Sequence, residues 1–171
     1  IPSSAASDVY KRQMNDYSKN IFKNKSFIFL ISYLIIDETD NANYFLFKYN
    51  LSNEDKKRVK FLIENHELFS EKDYFNKKNL QRIFYFYNKS YVIDLLDLKI
   101  FNSKTAPKKL IELKKYFEQF EKPIFPLKAQ DLLEKYKLKE GKEFGQKIRL
   151  LEDLWFCLLY TSPSPRDTSS S

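Results

Sequence analysis

Glycine is almost missing from this chain of 171 residues: there are two, Gly141 and Gly145, and none before them. A glycine turn that lets a triphosphate approach the backbone therefore has no place in the first four-fifths of the molecule. Cysteine occurs once, as Cys157, which excludes an internal disulfide and a thiolate zinc site and is compatible with a reducing cytoplasm. Histidine also occurs once; His66 stands between Asn65 and Glu67 with no second ligand nearby and reads as a helix-surface residue. Long apolar runs are missing too. The longest, Phe27 to Ile36, is ten residues interrupted by Ser32 and Tyr33, against the roughly 20 a bilayer requires. It reads as a buried helix, with an exposed former domain contact as the alternative. With no spanning segment and no signal-peptide pattern, no membrane role and a cytoplasmic location are expected.

What is present changes character along the chain. Residues 1–13 and 157–171 are rich in Ser and Pro, whereas the interior is dominated by Lys, Asn, Ile, Phe and Tyr. Such a shift marks junctions, and both ends resemble translated sequencing-adapter read-through, with ordinary disordered tails as the alternative. On this reading the interior, 14–156, is a fragment of a longer protein, about one domain in size. It divides into a helical body, 14–121, and a tail, 122–156. The formal charge of the whole chain is +7; the ends contribute one of these charges, so the basic balance belongs to the interior.

Helical periodicity runs through most of the interior. Ser52 followed by Asp55 has the form of a capping box, and Val59, Leu62, Ile63 and His66 then recur at helical spacing, predicting a helix over 53–67 with Lys56, Lys57, Arg58 and Lys60 on its outer face. Further helices are predicted over 78–87, 91–101, 107–120, 129–137 and 143–156, the last with Phe144, Ile148, Leu151 and Trp155 on one apolar stripe. The aromatic clusters at 44–47 and 84–87 favour sheets by propensity. No turn dipeptides bracket them as hairpins would need, so buried helices are preferred. The expected fold class is all-α. Asp94 and Asp97 lie three apart on a helix, but a hard-cation site wants more oxygens than two, so they read as a solvated pair and no metal site is expected.

Both glycines fall in one phrase, which runs Pro126-Leu127-Lys128-Ala129-Gln130-Asp131-Leu132, then Gly141-Lys142-Glu143-Phe144-Gly145, and ends near Trp155. Glycine concentrated in this way implies a backbone at positive φ or a close approach. The phrase resembles the C-terminal tail of bacterial CCA-adding tRNA nucleotidyltransferases and their poly(A) polymerase relatives, with Ala129 in place of the first glycine of that pattern. A second, shorter echo is Leu51-Ser52-Asn53 opening a basic helix. The resemblance implies the helical body and tail of such an enzyme, with the catalytic α/β head absent and the fragment inactive alone. It implies tRNA as partner, together with the missing N-terminal catalytic domain of the same chain. Magnesium, ATP and CTP are implied for the parent, which would add CMP and AMP to the tRNA 3′ end, and no cofactor for the fragment.

Charge supports the same location. From Lys122 to Arg149 there are eight Lys or Arg against four Asp or Glu. A helix start flanked by cations suits a phosphate backbone, which positions nucleic acid without reading its sequence. The expected phosphate contacts are Lys128, Gly141, Lys142, Gly145, Lys147 and Arg149, with Lys108, Lys109, Lys114 and Lys115 as a second strip. Pro126, Leu127, Leu132, Phe144, Leu151 and Trp155 are assigned to packing. A poly(A) polymerase parent is an alternative, as is a helical interaction module with no nucleic-acid role.

Overall fold

In a computed structural model, residues 14–161 are described; the Ser/Pro-rich stretches 1–13 and 162–171 lie outside them. Every regular element among the described residues is helical, as the periodicity predicts. In order they are α1 (Asp16–Ile21), a 3₁₀ turn (Phe22–Asn24), α2 (Phe27–Ile35), α3 (Asn41–Lys48), α4 (Asn53–His66), α5 (Lys77–Phe86), α6 (Lys89–Phe101), α7 (Lys108–Gln119), α8 (Ala129–Tyr136) and α9 (Lys142–Thr161). The chain divides into two units at Glu121–Lys122.

Local chemistry explains where the helices begin. Asn15, Ser26, Ser52, Asn76 and Asn88 each accept a backbone N–H of the following first turn through the side chain, satisfying donors a helix start leaves open. At Ser52 the box is modified: the hydroxyl accepts from Asp55 N at 3.1 Å and itself donates to Asp55 Oδ2 at 2.7 Å. Helix α1, which the periodicity did not predict, is tied down by a distant contact. The Asn15 carboxamide donates to Ile100 O at 2.7 Å and Ser103 O at 2.8 Å, joining the start of the first unit to the end of α6.

Helix α6 is the axis of the first unit. It packs against α1, α2, α4, α5 and α7, and Val92, Leu95, Leu96, Leu98 and Ile100 are fully buried. A helix enclosed on so many sides has no polar stripe. Leu62 of α4, Leu80, Ile83 and Phe84 of α5, Leu113 and Phe117 of α7, and Phe29 of α2 complete one core. Phe29 and Tyr33 meet Phe101 edge-on at 5.1 and 5.3 Å between ring centres.

Two expectations of burial are corrected. Helix α3 carries the first aromatic cluster, yet Tyr44 and Phe47 are exposed, Phe47 at 90%. Only Ala42 of that helix is buried, because it presents one narrow face to α2 and α4. Helix α2 buries Phe29, Ser32 and Tyr33 but leaves Phe27 and Leu34 exposed.

The second unit is built differently. Helix α8 has no buried residue. Of the large apolar side chains after residue 121, Phe156 alone among the described residues is buried, while Leu150, Leu151, Leu154 and Leu158 stand exposed. Phe125 packs on Trp155 with ring centres 5.4 Å apart. Helix α9 continues five residues past the boundary expected at 156, through Cys157–Thr161; Cys157, Leu158, Leu159 and Tyr160 carry no helix-breaking residue to stop it.

Candidate nucleic-acid interface

The expected tail contacts are exposed, and helix geometry sorts them. At about 100° per residue, Lys142, Gly145 and Arg149 of α9 fall on one stripe, two turns long. Lys147 lies about 140° round from Lys142, and its ammonium is engaged by Glu143 at 3.0 Å, one turn back. No ion pair occupies Lys128, Lys142 or Arg149 among the described residues. Lys128 caps the start of α8 without a side-chain cap bond. Of the packing assignments, Leu132, Phe144 and Trp155 are half-buried, whereas Pro126, Leu127 and Leu151 are exposed.

The glycines do not meet the geometric demand expected of them. Neither has a positive φ, and a methyl group added at either would meet no atom within 4 Å. Gly141 precedes α9 and its carbonyl accepts from Gly145 N at 3.1 Å, closing the first helical turn. What the two positions share is open space. The left-handed residue of this region is Lys137, at φ 49°, which ends α8 while Leu138 N donates to Leu133 O at 3.1 Å. A lysine there bears about 1 to 2 kcal/mol that glycine would avoid.

The second strip is corrected at one position. Lys108, Lys109 and Lys115 of α7 are exposed, but Lys114 points inward and pairs with Asp97 Oδ1 at 2.8 Å. Its side chain is 8% exposed, so it is unavailable to an outside phosphate. Burial works against the Lys114 charge, but the hydrogen bond and charge of Asp97 outweigh it and hold the ammonium above the ordinary lysine range.

Asp97 belongs to a buried polar cluster that the sequence spacing did not reveal. Asp94 and Asp97, expected to be solvated, both face inward from α6. Lys25 Nζ donates to Asp97 Oδ2 from the segment before α2. Arg58 forms a fork on Asp94, Nε to Oδ2 and Nη2 to Oδ1, the latter at 2.7 Å. Arg58, expected on the outer face of α4, is therefore half-buried. Its guanidinium is held above its ordinary range by the Asp94 hydrogen bond, whereas burial pushes the Asp94 carboxyl up against the pull of Arg58. Each carboxylate is neutralised by cations from other elements, so the pair is not arranged as metal ligands. Above this cluster opens a cavity of about 580 Å³, whose wall includes Lys25, Arg58, Lys89 and Asp94.

His66, at the end of α4, stacks obliquely on Phe69 with ring centres 5.2 Å apart. Burial and the nearby Lys99 charge lower its pKa, so it is a half-buried neutral residue instead of an open surface one.

No protein-family model matches the chain, no curated protein is significantly similar to it, and no solved structure shares its fold at a significant level.

Proposed function

We propose that this chain is a non-catalytic, RNA-holding helical part of a tRNA nucleotidyltransferase, gripping tRNA by its phosphate backbone through the tail. The observation that carries the reading is the exposed, largely unpaired stripe Lys142–Gly145–Arg149, with Lys128 beside the start of α8. The glycine between the two cations places no side chain in the path of a phosphate lying across the stripe. The body contributes the weaker strip Lys108, Lys109 and Lys115; Lys114 is withdrawn from it. Addition of CMP and AMP with magnesium, CTP and ATP belongs to the head of the parent. Incorporation assays on that parent separate CCA addition from poly(A) synthesis.

The test is charge reversal. Replacing Lys128, Lys142 and Arg149 together with Glu should lower affinity for folded tRNA by about 100-fold or more at low salt, since each lost phosphate contact removes counterion release. Unchanged affinity with intact helix content contradicts the site.

The exposed leucines of α9 favour a second reading, a helical module that binds another protein. It requires that tRNA affinity be negligible at every salt concentration.

A further inference from the structure

The body carries a cavity that the tail reading leaves unused. It opens between the segment before α2, the middle of α4 and the start of α6, and holds about 580 Å³. Its wall is unusual in charge: Lys25, Arg58 and Lys89 face it with one carboxylate, Asp94. Behind the wall, Asp97 is shared by Lys25 and Lys114. Four cations, Lys25, Arg58, Lys89 and Lys114, thus face two carboxylates, Asp94 and Asp97, and two formal positive charges remain around the cavity.

We propose that this cavity binds the dianionic phosphate of a phosphate monoester. Such a group carries about −1.5 to −2 at neutral pH and takes charge-assisted hydrogen bonds from several donors at once. An internal phosphodiester, with one negative charge, leaves the site half neutralised. The donors are placed for this. The fork on Asp94 uses Nε and Nη2 of Arg58, so Nη1 has no acceptor among the described residues. That same fork fixes the guanidinium plane in the cavity wall. Lys89 stands exposed on the rim as the first residue of α6; its ammonium donates one hydrogen to Glu118 O of α7 and keeps two for a ligand, and Asn88 holds that rim by accepting from Ser90 N at 2.9 Å and Ser90 Oγ at 2.6 Å. Among the described residues no aromatic ring lines the cavity, so none of them would stack a base there; the phosphate is the part recognised. This inference does not rest on the RNA reading, because the monoester has two possible sources, the 5′ end of an RNA or a small phosphate ester.

The experiment follows backbone amide shifts of Lys89 and Ser90 in the full chain at pH 7.5 in chloride buffer. Inorganic phosphate should produce a saturable shift, and dimethyl phosphate, a monoanion, should need at least about tenfold more ligand. Lys89→Glu should abolish the response. Lys89→Glu also removes the bond to Glu118 O, so Ser90→Asp, which suits the first turn of a helix and leaves that bond in place, provides the same test from the neighbouring rim position. Tighter binding of a 5′-phosphorylated oligoribonucleotide than of its 5′-hydroxyl form, by about tenfold, identifies an RNA end as the source. Equal binding of the two, with the phosphate response intact, identifies a small ester. The proposal is overturned if inorganic phosphate gives no saturable shift, if dimethyl phosphate binds equally well, or if the response survives in Lys89→Glu. Reversal of the tail lysines leaves all of these outcomes unchanged, so failure of the tail reading and failure of this one are separable.

Discussion

The body and the tail solve the problem of stability in opposite ways. In the body, α6 is surrounded by five helices, and even its two aspartates are turned inward and neutralised by Lys25, Arg58 and Lys114. In the tail, α8 buries nothing and α9 exposes all five of its leucines, so local helix propensity carries more of the order there. Cations follow the same division. Those of the body at the core are paired with carboxylates, while among the described residues no ion pair occupies Lys128, Lys142 or Arg149. A positive charge is informative about binding only after its internal partners have been accounted for.

The largest effect that sharpens this contrast is expected at Asp97. Asp97→Ala strands Lys25 and Lys114 in the interior and should destabilise the body by about 3 to 5 kcal/mol. Leu154→Ala in the tail, at a side chain 52% exposed, should change stability by no more than about 0.5 kcal/mol. Urea denaturation followed by circular dichroism compares the two, and equal losses would erase the distinction.

A smaller effect is expected at Gly145. With open space around it and an ordinary helical backbone, Gly145→Ala should stabilise α9 by about 1 kcal/mol, read as increased helix content or a raised Tm. The same change should weaken tRNA binding, since its methyl group stands where a phosphate would lie between Lys142 and Arg149. Stabilisation with undiminished affinity would confine the contacts to side chains.

The smallest effect is in the body, at His66. Its pKa is lowered in the fold, so around the usual value near 6.5 the unfolded chain binds more protons than the folded one. Stability should therefore rise as pH increases through that window and be lost as pH falls through the folded pKa. His66→Gln should flatten that part of the pH profile. A slope unchanged by the substitution would assign it to other groups.

These features differ in how far the sequence betrays them. Helices α4, α5, α6 and α7 were legible because capping residues and apolar spacing are local signals, and the all-α class followed from them. The pairing of Arg58 with Asp94, 36 residues away, and of Lys25 with Asp97, 72 residues away, was not, since spacing along one helix says nothing of what another places opposite. Lys114 was misassigned for the same reason: a lysine strip looks uniform until the core decides which member turns inward. The cationic stripe of the tail was legible in its residues but not in its geometry. Lys147 proved to lie on another face, and the strained backbone appeared at Lys137 instead of at a glycine, because a C-cap is set by where the helix ends and not by which residue suits it.

The central claim is that the tail holds RNA by phosphate contacts, and the salt dependence of binding tests it most directly. For the full chain and a folded tRNA, the account predicts that log K falls linearly with log salt with a slope of about −2 to −3, as expected for three cationic contacts at Lys128, Lys142 and Arg149. A slope near zero, or no binding at low salt, would contradict it.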